Sequence, residues 1–599
     1  MSKKRPHGEV RQSQVLMGYG PGAMMDLPKY SVIVGGLEHW KGDKREIQEE
    51  RLVAKVQELL GKAPMKLYAP PVETEPDPTK LWGIRAFEFP TWFIALHETQ
   101  KEGVRSRPLV RLRDLREHQY FGPDRNRYAA VPVRWVQGCP QGHVSDIDWH
   151  GFAHNNAKQC KRQLWIDEHG TSGDFAEIFV RCECGDRETL ARAAKIGEMA
   201  LRLCNGARPW IGEDAAQECK EPARLLVRTA TNTYYAQTLS AISIPDADEA
   251  LRKAVQEVYT DFLEPSVETQ ADVTRERKKP RVKDALGKFT DAEVFAEVRR
   301  RKEGEGQKRK LRQTEAEVFL GSEEEIGRNV PLDSDFYARA LPSDSIPAAL
   351  KSRVRRVVLA HRLRVVTAQV GFTRFEAETI EVEDELRLPL RRADLADEAT
   401  WMPAIEARGE GVFVAFTPDS IKSWLKRDEV KRRGTQLLKG FDAWAAQHRG
   451  TKAMFPGAPY YMLHSLSHLL ITSLSLECGY SASSIHERIY SADPYFGILL
   501  YSGTQDAEGT LGGLVEAGRR ICDHLALAVE AGRLCSNDPV CSQHAPENPH
   551  EERFLHGASC HGCLLIAEPS CERRNEYLDR ALVVPTVEGL RCEYFAEEK

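Results

Sequence analysis

The spacing of apolar positions changes several times along the chain, and each change predicts an element. Residues 45–60 repeat at helical spacing and predict an amphipathic helix. Residues 86–96 and 128–136 are rich in aromatic and β-branched side chains and predict strands. Residues 224–244 predict strands around a polar turn at 229–235, and 248–263 a well-patterned helix. Further on, 353–366 is apolar and basic at once, and 409–416 is a turn followed by a strand. Thr417-Pro418-Asp419 opens a helix through Lys426, and 461–476 is a long apolar helix. A compact segment at 483–490 leads to an apolar strand at 498–501, a glycine-bearing loop at 509–513 and a helical period over 514–531. The order of elements predicts a mixed α/β (α+β), multidomain fold. An N-terminal α+β domain spans 1–265 and a C-terminal α/β domain spans 331–599.

Between them the pattern fails. From Glu268 to about Glu325, Lys, Arg and Glu dominate, with few apolar anchors, so residues 266–330 read as a linker, a mobile insertion or helices exposed on most faces. Two basic clusters here, 275–281 and 308–312, and five arginines in 105–116, are local candidates for a phosphate backbone or plain solvated faces. The whole chain of 599 residues carries a net charge of −5, so no global attraction to nucleic acid operates. A hydrophobic content of 41% and a charged content of 29% describe a soluble globular protein. The basic opening residues lead into no apolar run, and no stretch reaches a membrane span of roughly 20 apolar residues. A cytoplasmic protein, with no membrane partner, is the expectation.

The fourteen cysteines change the picture most. Without an export signal, clustered cysteines favour metal over disulfides. Five fall within 37 residues near the end, Cys535, Cys541, Cys560, Cys563 and Cys571, and Cys560-His561-Gly562-Cys563 has the spacing of a zinc knuckle. Upstream, Cys139, Cys160, Cys182, Cys184, Cys204 and Cys219 occupy about 80 residues. His143 follows Cys139 at ligand spacing, although a histidine after glycine in a turn is often merely exposed. This cluster holds one tetrahedral site or two. At least two structural zinc sites are expected in the chain, and two zinc ions with room for a third.

His464 and His468 lie one helical turn apart, so both imidazoles share a face. The glutamate of a metalloprotease motif is missing, and core histidines are the plainer reading. Gly20-Pro21-Gly22 is a turn-rich loop without the Lys-Ser/Thr of a P-loop, which favours a structural role. No P-loop and no G-x-S-x-G elbow occurs anywhere in the sequence.

Several pieces form an ordered series: Gly20-Pro21-Gly22, Cys139-Pro140-x-Gly142-His143, Cys204-x-Gly206-x-Arg208-Pro209-Trp210, Gly371-Phe372-Thr373-Arg374 and Trp401-x-Pro403-Ala404. Gly409-Glu410-Gly411, His464-x-x-x-His468, Glu487-Arg488-Ile489-Tyr490, Cys560-x-x-Cys563, Cys571, Asn575 and Leu578-Asp579-Arg580 continue it. The series resembles the DrmB family, helicase-associated subunits of the DISARM anti-phage defence system, and the C-terminal third is similar to the zinc-binding domain of MrfA-type helicases. The resemblance implies a non-catalytic subunit that partners the helicase DrmA in a DNA-binding complex. It implies one zinc on four cysteines, mapping best to Cys541, Cys560, Cys563 and Cys571, with Cys535 as the competing first ligand. Arg353, Arg355, Arg356 and Arg374 are the candidates for the DNA-facing surface. The alternative is an independent zinc hydrolase or nuclease using His464 and His468.

Overall fold

In a computed structural model the chain is described over residues 10–596, apart from 29, 62–64, 73–82, 102–103, 171, 213, 245–248, 303–310, 326–333, 376–391, 449–452, 504–511, 549 and 552. The expected boundary at 330/331, residues 308–310 of the second basic cluster and 509–511 of the glycine-bearing loop lie outside the described residues.

The N-terminal sheet runs in the order Gln119–Phe121, Arg127–Pro132, Trp92–Ala95, Val104–Arg111, Leu164–His169, Ile178–Cys182 and Arg187–Thr189. All these neighbours are antiparallel. Strand Ile178–Cys182 buries Ile178, Val180 and Cys182 and leaves Phe179 and Arg181 half-buried, the period of two that a sheet with one core face requires. Trp135 and Trp149 share a buried cluster with the sheet's core-facing Leu164 and Val180. Three arginines of the basic 105–116 stretch are held by this sheet. Arg107 pairs with Glu98 and Glu168, Arg105 donates to the Gly170 carbonyl, and Arg111 lies over the Trp92 ring.

The second sheet runs Tyr235–Ser243, Val354–Thr373, Trp401–Phe416, Tyr495–Ser502, Ile485–Ala492. Tyr337–Ala340 adds to Val354–Thr373, and Lys66–Tyr68 runs parallel to Trp401–Phe416. Two of its strands therefore come from before residue 265, so the expected boundary there does not separate the sheets. The pairing is long-range, and local periodicity carries no record of it.

Helix Gly457–Cys478 is apolar around its whole circumference and is buried accordingly, with Tyr461, Leu463, Leu466, Leu470 and Leu474 inaccessible. It packs on Ile485–Ala492, Tyr495–Ser502 and helix Ile521–Gly532. Gly479 ends it in the left-handed conformation at φ 73°.

Of the three readings of the charged section, helices exposed on most faces is the one observed. Helices Glu249–Val258, Gln270–Glu276, Pro280–Leu286 and Asp291–Lys302 close around a core of their own, including Leu251, Val255, Val273, Val282, Leu286, Val294 and Val298. Helix Leu311–Leu320 then returns to the second sheet. Its Glu315 receives Arg488 Nε and Nη2 at 2.7 and 2.9 Å, Tyr490 Oη at 3.1 Å and the Ile242 N–H at 3.1 Å. Among the described residues no helix is long and apolar enough to cross a membrane.

Candidate metal centres

Every cysteine is a free thiol, and among the described residues most of them gather, with histidine or carboxylate, into four groups whose donor atoms all lie within 4.8 Å of one another. The first group is Cys139, His143, Cys204 and Cys219. Cys139 and His143 flank the turn joining Trp135–Gly138 to Val144–Ser145, and Gly142 sits there at φ +86°, a conformation that favours glycine. The tight turn places Cys139 Sγ 3.4 Å from His143 Nδ1 and 3.9 Å from Cys219 Sγ. Gln217 Oε1 accepts from His143 Nε2 at 3.3 Å, which leaves the Nδ1 lone pair facing the sulfurs. The Gly206 N–H points at Cys204 Sγ. The Cys139 thiol holds Cys204 down to about 4 against the opposing effect of burial, and Cys139 itself is raised. His143 is buried, not exposed in its turn.

His154, Cys160, Cys182 and Cys184 form the second group. His154 follows helix Trp149–Ala153 and donates from Nδ1 to the His150 carbonyl at 2.7 Å, so Nε2 meets Cys184 Sγ at 3.1 Å. Cys160 and Cys182 sulfurs are 3.6 Å apart. The Asp186 N–H and then His154 lower the Cys184 thiol to about 7. Sequence reading missed His154. Six upstream cysteines and His143 are one ligand short of two complete quartets, and that shortfall was the signal.

The third group is Cys535, Cys541, Cys560 and Cys563. Sulfur separations are 3.4 Å for Cys535–Cys560 and 3.7 Å for both Cys541–Cys563 and Cys560–Cys563. Edges of a tetrahedron with zinc–ligand bonds of 2.0–2.3 Å are about 3.3–3.8 Å. N–H groups of Asn537 and Gly562 point at Cys535 and Cys560. The thiol of Cys563, opposed by burial, brings Cys541 down to about 6. Behind the group, buried Arg580 makes a two-pronged contact with Asp538 and caps the carbonyls of Gly532 and Arg533.

This geometry corrects the expected C-terminal ligand set. Cys535 and Cys541 both join Cys560 and Cys563. Cys571 does not; it lies in the core with His464, His468 and Glu487. The chain turns inward after Cys563, where the Leu564 carbonyl accepts from His468 Nδ1 at 2.8 Å, and carries Cys571 away. In the first three groups the donors are three thiols with an imidazole, twice, and four thiols once. These sets fit zinc, with four protein ligands and no vacant position.

The expected DNA-facing arginines need correction as well. Arg374 is fully buried and donates to three loop carbonyls, Gly142 at 2.8 Å, Thr233 at 2.5 Å and Gly22 at 2.7 Å, while its plane covers Phe372 and Trp210. It cannot reach a phosphate; it fixes the turn that bears His143. Burial lowers it to about 10. The same hub explains the glycine loop: a Cβ on Gly20 would meet Tyr234 and Gln369, and one on Gly22 would meet Phe372 at 2.5 Å. Arg356 donates to the Ser322 carbonyl and Arg353 is half-buried over the Phe595 ring. Arg355 is exposed.

Three sulfur-rich, four-ligand groups, two in turns beside antiparallel strands and one in the coil after helix Ile521–Gly532, define a protein with several candidate structural metal sites. Residues 11–235 match a domain of unknown function, DUF8724, and residues 466–564 match the MrfA Zn-binding domain. The third group lies wholly within the second match and Cys571 lies outside it. The DISARM protein DrmB of Bacillus paralicheniformis is 30% identical over 487 residues, 79% of this chain and 84% of that one. This chain belongs to the DrmB family of DISARM proteins. Among solved structures, the DUF1998 helicase MrfA bound to DNA shares 14% identity over 36% of this chain and 23% of that one, with a TM-score of 0.16, a likeness too slight to bear on function.

Proposed function

We propose that this chain is a non-catalytic, zinc-braced subunit that partners the DISARM helicase DrmA and helps their complex hold DNA. The observation that carries the reading is family membership, joined to a set of ligand groups that are closed on all four sides. A closed zinc site contributes folding energy and rigidity, because the metal binds the assembled ligand set of the folded chain and not the unfolded one. Such a rigid frame suits a surface on which a motor domain docks. The motor would lie on the partner, in keeping with the missing P-loop motif in this sequence.

The hydrolase alternative needs a metal with an open position and a route for water. His464 and His468 are 0% and 1% exposed, which disfavours it. DNA contact would come from exposed cations, of which Arg355 remains from the original four.

Purified DrmA and this chain are expected to co-elute at low salt, and the pair to show altered DNA-stimulated ATP hydrolysis relative to the helicase alone. Failure to associate at low salt would refute the reading. Arg355→Ala should weaken DNA binding by the pair and flatten its log–log salt dependence by about 0.9, the contribution of one phosphate contact. Stability should stay within about 0.5 kcal/mol of the parent. An unchanged salt slope would remove Arg355 from the DNA surface.

A further inference from the structure

We propose that His464, His468, Glu487 and Cys571 bind a further zinc ion, buried in the core of the C-terminal domain and chemically unlike the sulfur-rich three. Four donor atoms of three kinds converge there. His464 Nε2 is 2.8 Å from Glu487 Oε1 and 3.1 Å from Cys571 Sγ, and His468 Nε2 is 3.4 Å from the same carboxylate oxygen.

The tautomers make the case. His464 Nδ1 faces the Tyr577 carbonyl at 3.2 Å and His468 Nδ1 faces the Leu564 carbonyl at 2.8 Å. A carbonyl only accepts, so each Nδ1 must carry a proton and each neutral ring presents a bare lone pair from Nε2. Two lone pairs, a carboxylate oxygen and a sulfur then face one point. Such a cluster of acceptors is repulsive unless protons or a metal ion sit among them, and backbone-anchored Nδ1–H groups are the usual orienting contacts of metal-bound histidine.

The surroundings are prepared for the ligand forms. N–H groups of Arg573 and Asn575 point at Cys571 Sγ at 3.3 and 3.1 Å, as N–H groups do at Cys204, Cys535 and Cys560. Ser467 Oγ donates to Glu487 Oε2, and the Glu572 N–H reaches Glu487 Oε1 at 3.2 Å. All four side chains are buried. One carboxylate and one thiolate balance a divalent cation, so the filled centre is neutral, which suits a core far better than an unmatched charge. Mixed nitrogen, oxygen and sulfur donors in a closed quartet select zinc.

The test uses the intact chain. Anomalous diffraction at the zinc edge should place an ion among these four residues, beside ions at the three sulfur-rich groups, and elemental analysis should give four zinc ions per chain. Ions at the three other groups and none here would overturn the proposal and leave a protonated imidazole–carboxylate cluster in its place. His468→Gln and Cys571→Ser should each reduce four ions to three while the Cys535 group stays filled. Should either variant not fold, the wild-type anomalous map still decides.

Discussion

Two quartets share the last stretch of the chain. At Cys535, Cys541, Cys560 and Cys563, opposing sulfurs come from two turns 25 residues apart at the edge of the core, and three of the four residues are only half-buried. At His464, His468, Glu487 and Cys571, the donors come from a helix, a strand and a loop, with up to 107 residues between them, and nothing reaches solvent. The rim quartet offers four sulfurs, and Arg580, itself paired with Asp538, adds a small favourable field for the Cys541 thiolate. The core quartet mixes neutral and charged donors, and its one carboxylate and one thiolate would together match a divalent cation. Position in the fold thus constrains ligand chemistry: thiolate-rich sets are tolerable near water, whereas a buried set must come close to neutrality.

The largest effect should separate the two quartets directly. Cys563→Ser is expected to lose one zinc and several kcal/mol of stability, from the roughly 10–16 kcal/mol that a structural zinc supplies. Cys571→Ser should leave the rim zinc in place. Loss of the rim zinc in Cys571→Ser would restore the ligand set first inferred from family resemblance. Next comes the strand that carries Glu487. Its neighbour Arg488 is pinned from the opposite side by Glu315, and both side chains are almost fully buried. Glu315→Ala strands that guanidinium and should cost about 3–5 kcal/mol by chemical denaturation; a cost below about 1 kcal/mol would mean that the strand is not held this way. The smallest effect is kinetic. A zinc chelator should empty the rim quartet at least tenfold faster than the core one, a barrier difference of about 1.4 kcal/mol or more, and a single release phase for all ions would erase the distinction.

How much was legible follows from how local each signal was. Cys560-x-x-Cys563 and Cys182-x-Cys184 put two thiols on one turn, and a reader of spacing finds them. His464 and His468 were placed on one helical face for the same reason. Glu487 and Cys571 could not be added to that face, because a strand reversal and an inward turn bring them there. His154 was missed because it stands just past a short helix, with its nearest ligand neighbour, Cys184, 30 residues on. Arg374 was misread since its partners are carbonyls, which every residue possesses and no composition reveals. The helical unit around Val273 and Val294 hid for a different reason: its few core valines are diluted by lysine, arginine and glutamate facing outward. The strands and the long apolar helix, by contrast, stood where their periodicity put them.

The hydrogen bond from His468 to the carbonyl just beyond Cys563 has a consequence for biosynthesis. At 5–20 residues per second, the stretch between His464 and Cys571 takes about 5–20 s to emerge from a ribosome. Throughout that interval the two imidazoles lack their final neighbours. The nascent domain is thus open at its centre until its last segment arrives, and a truncated copy would display unmet polar groups that quality-control proteases can read.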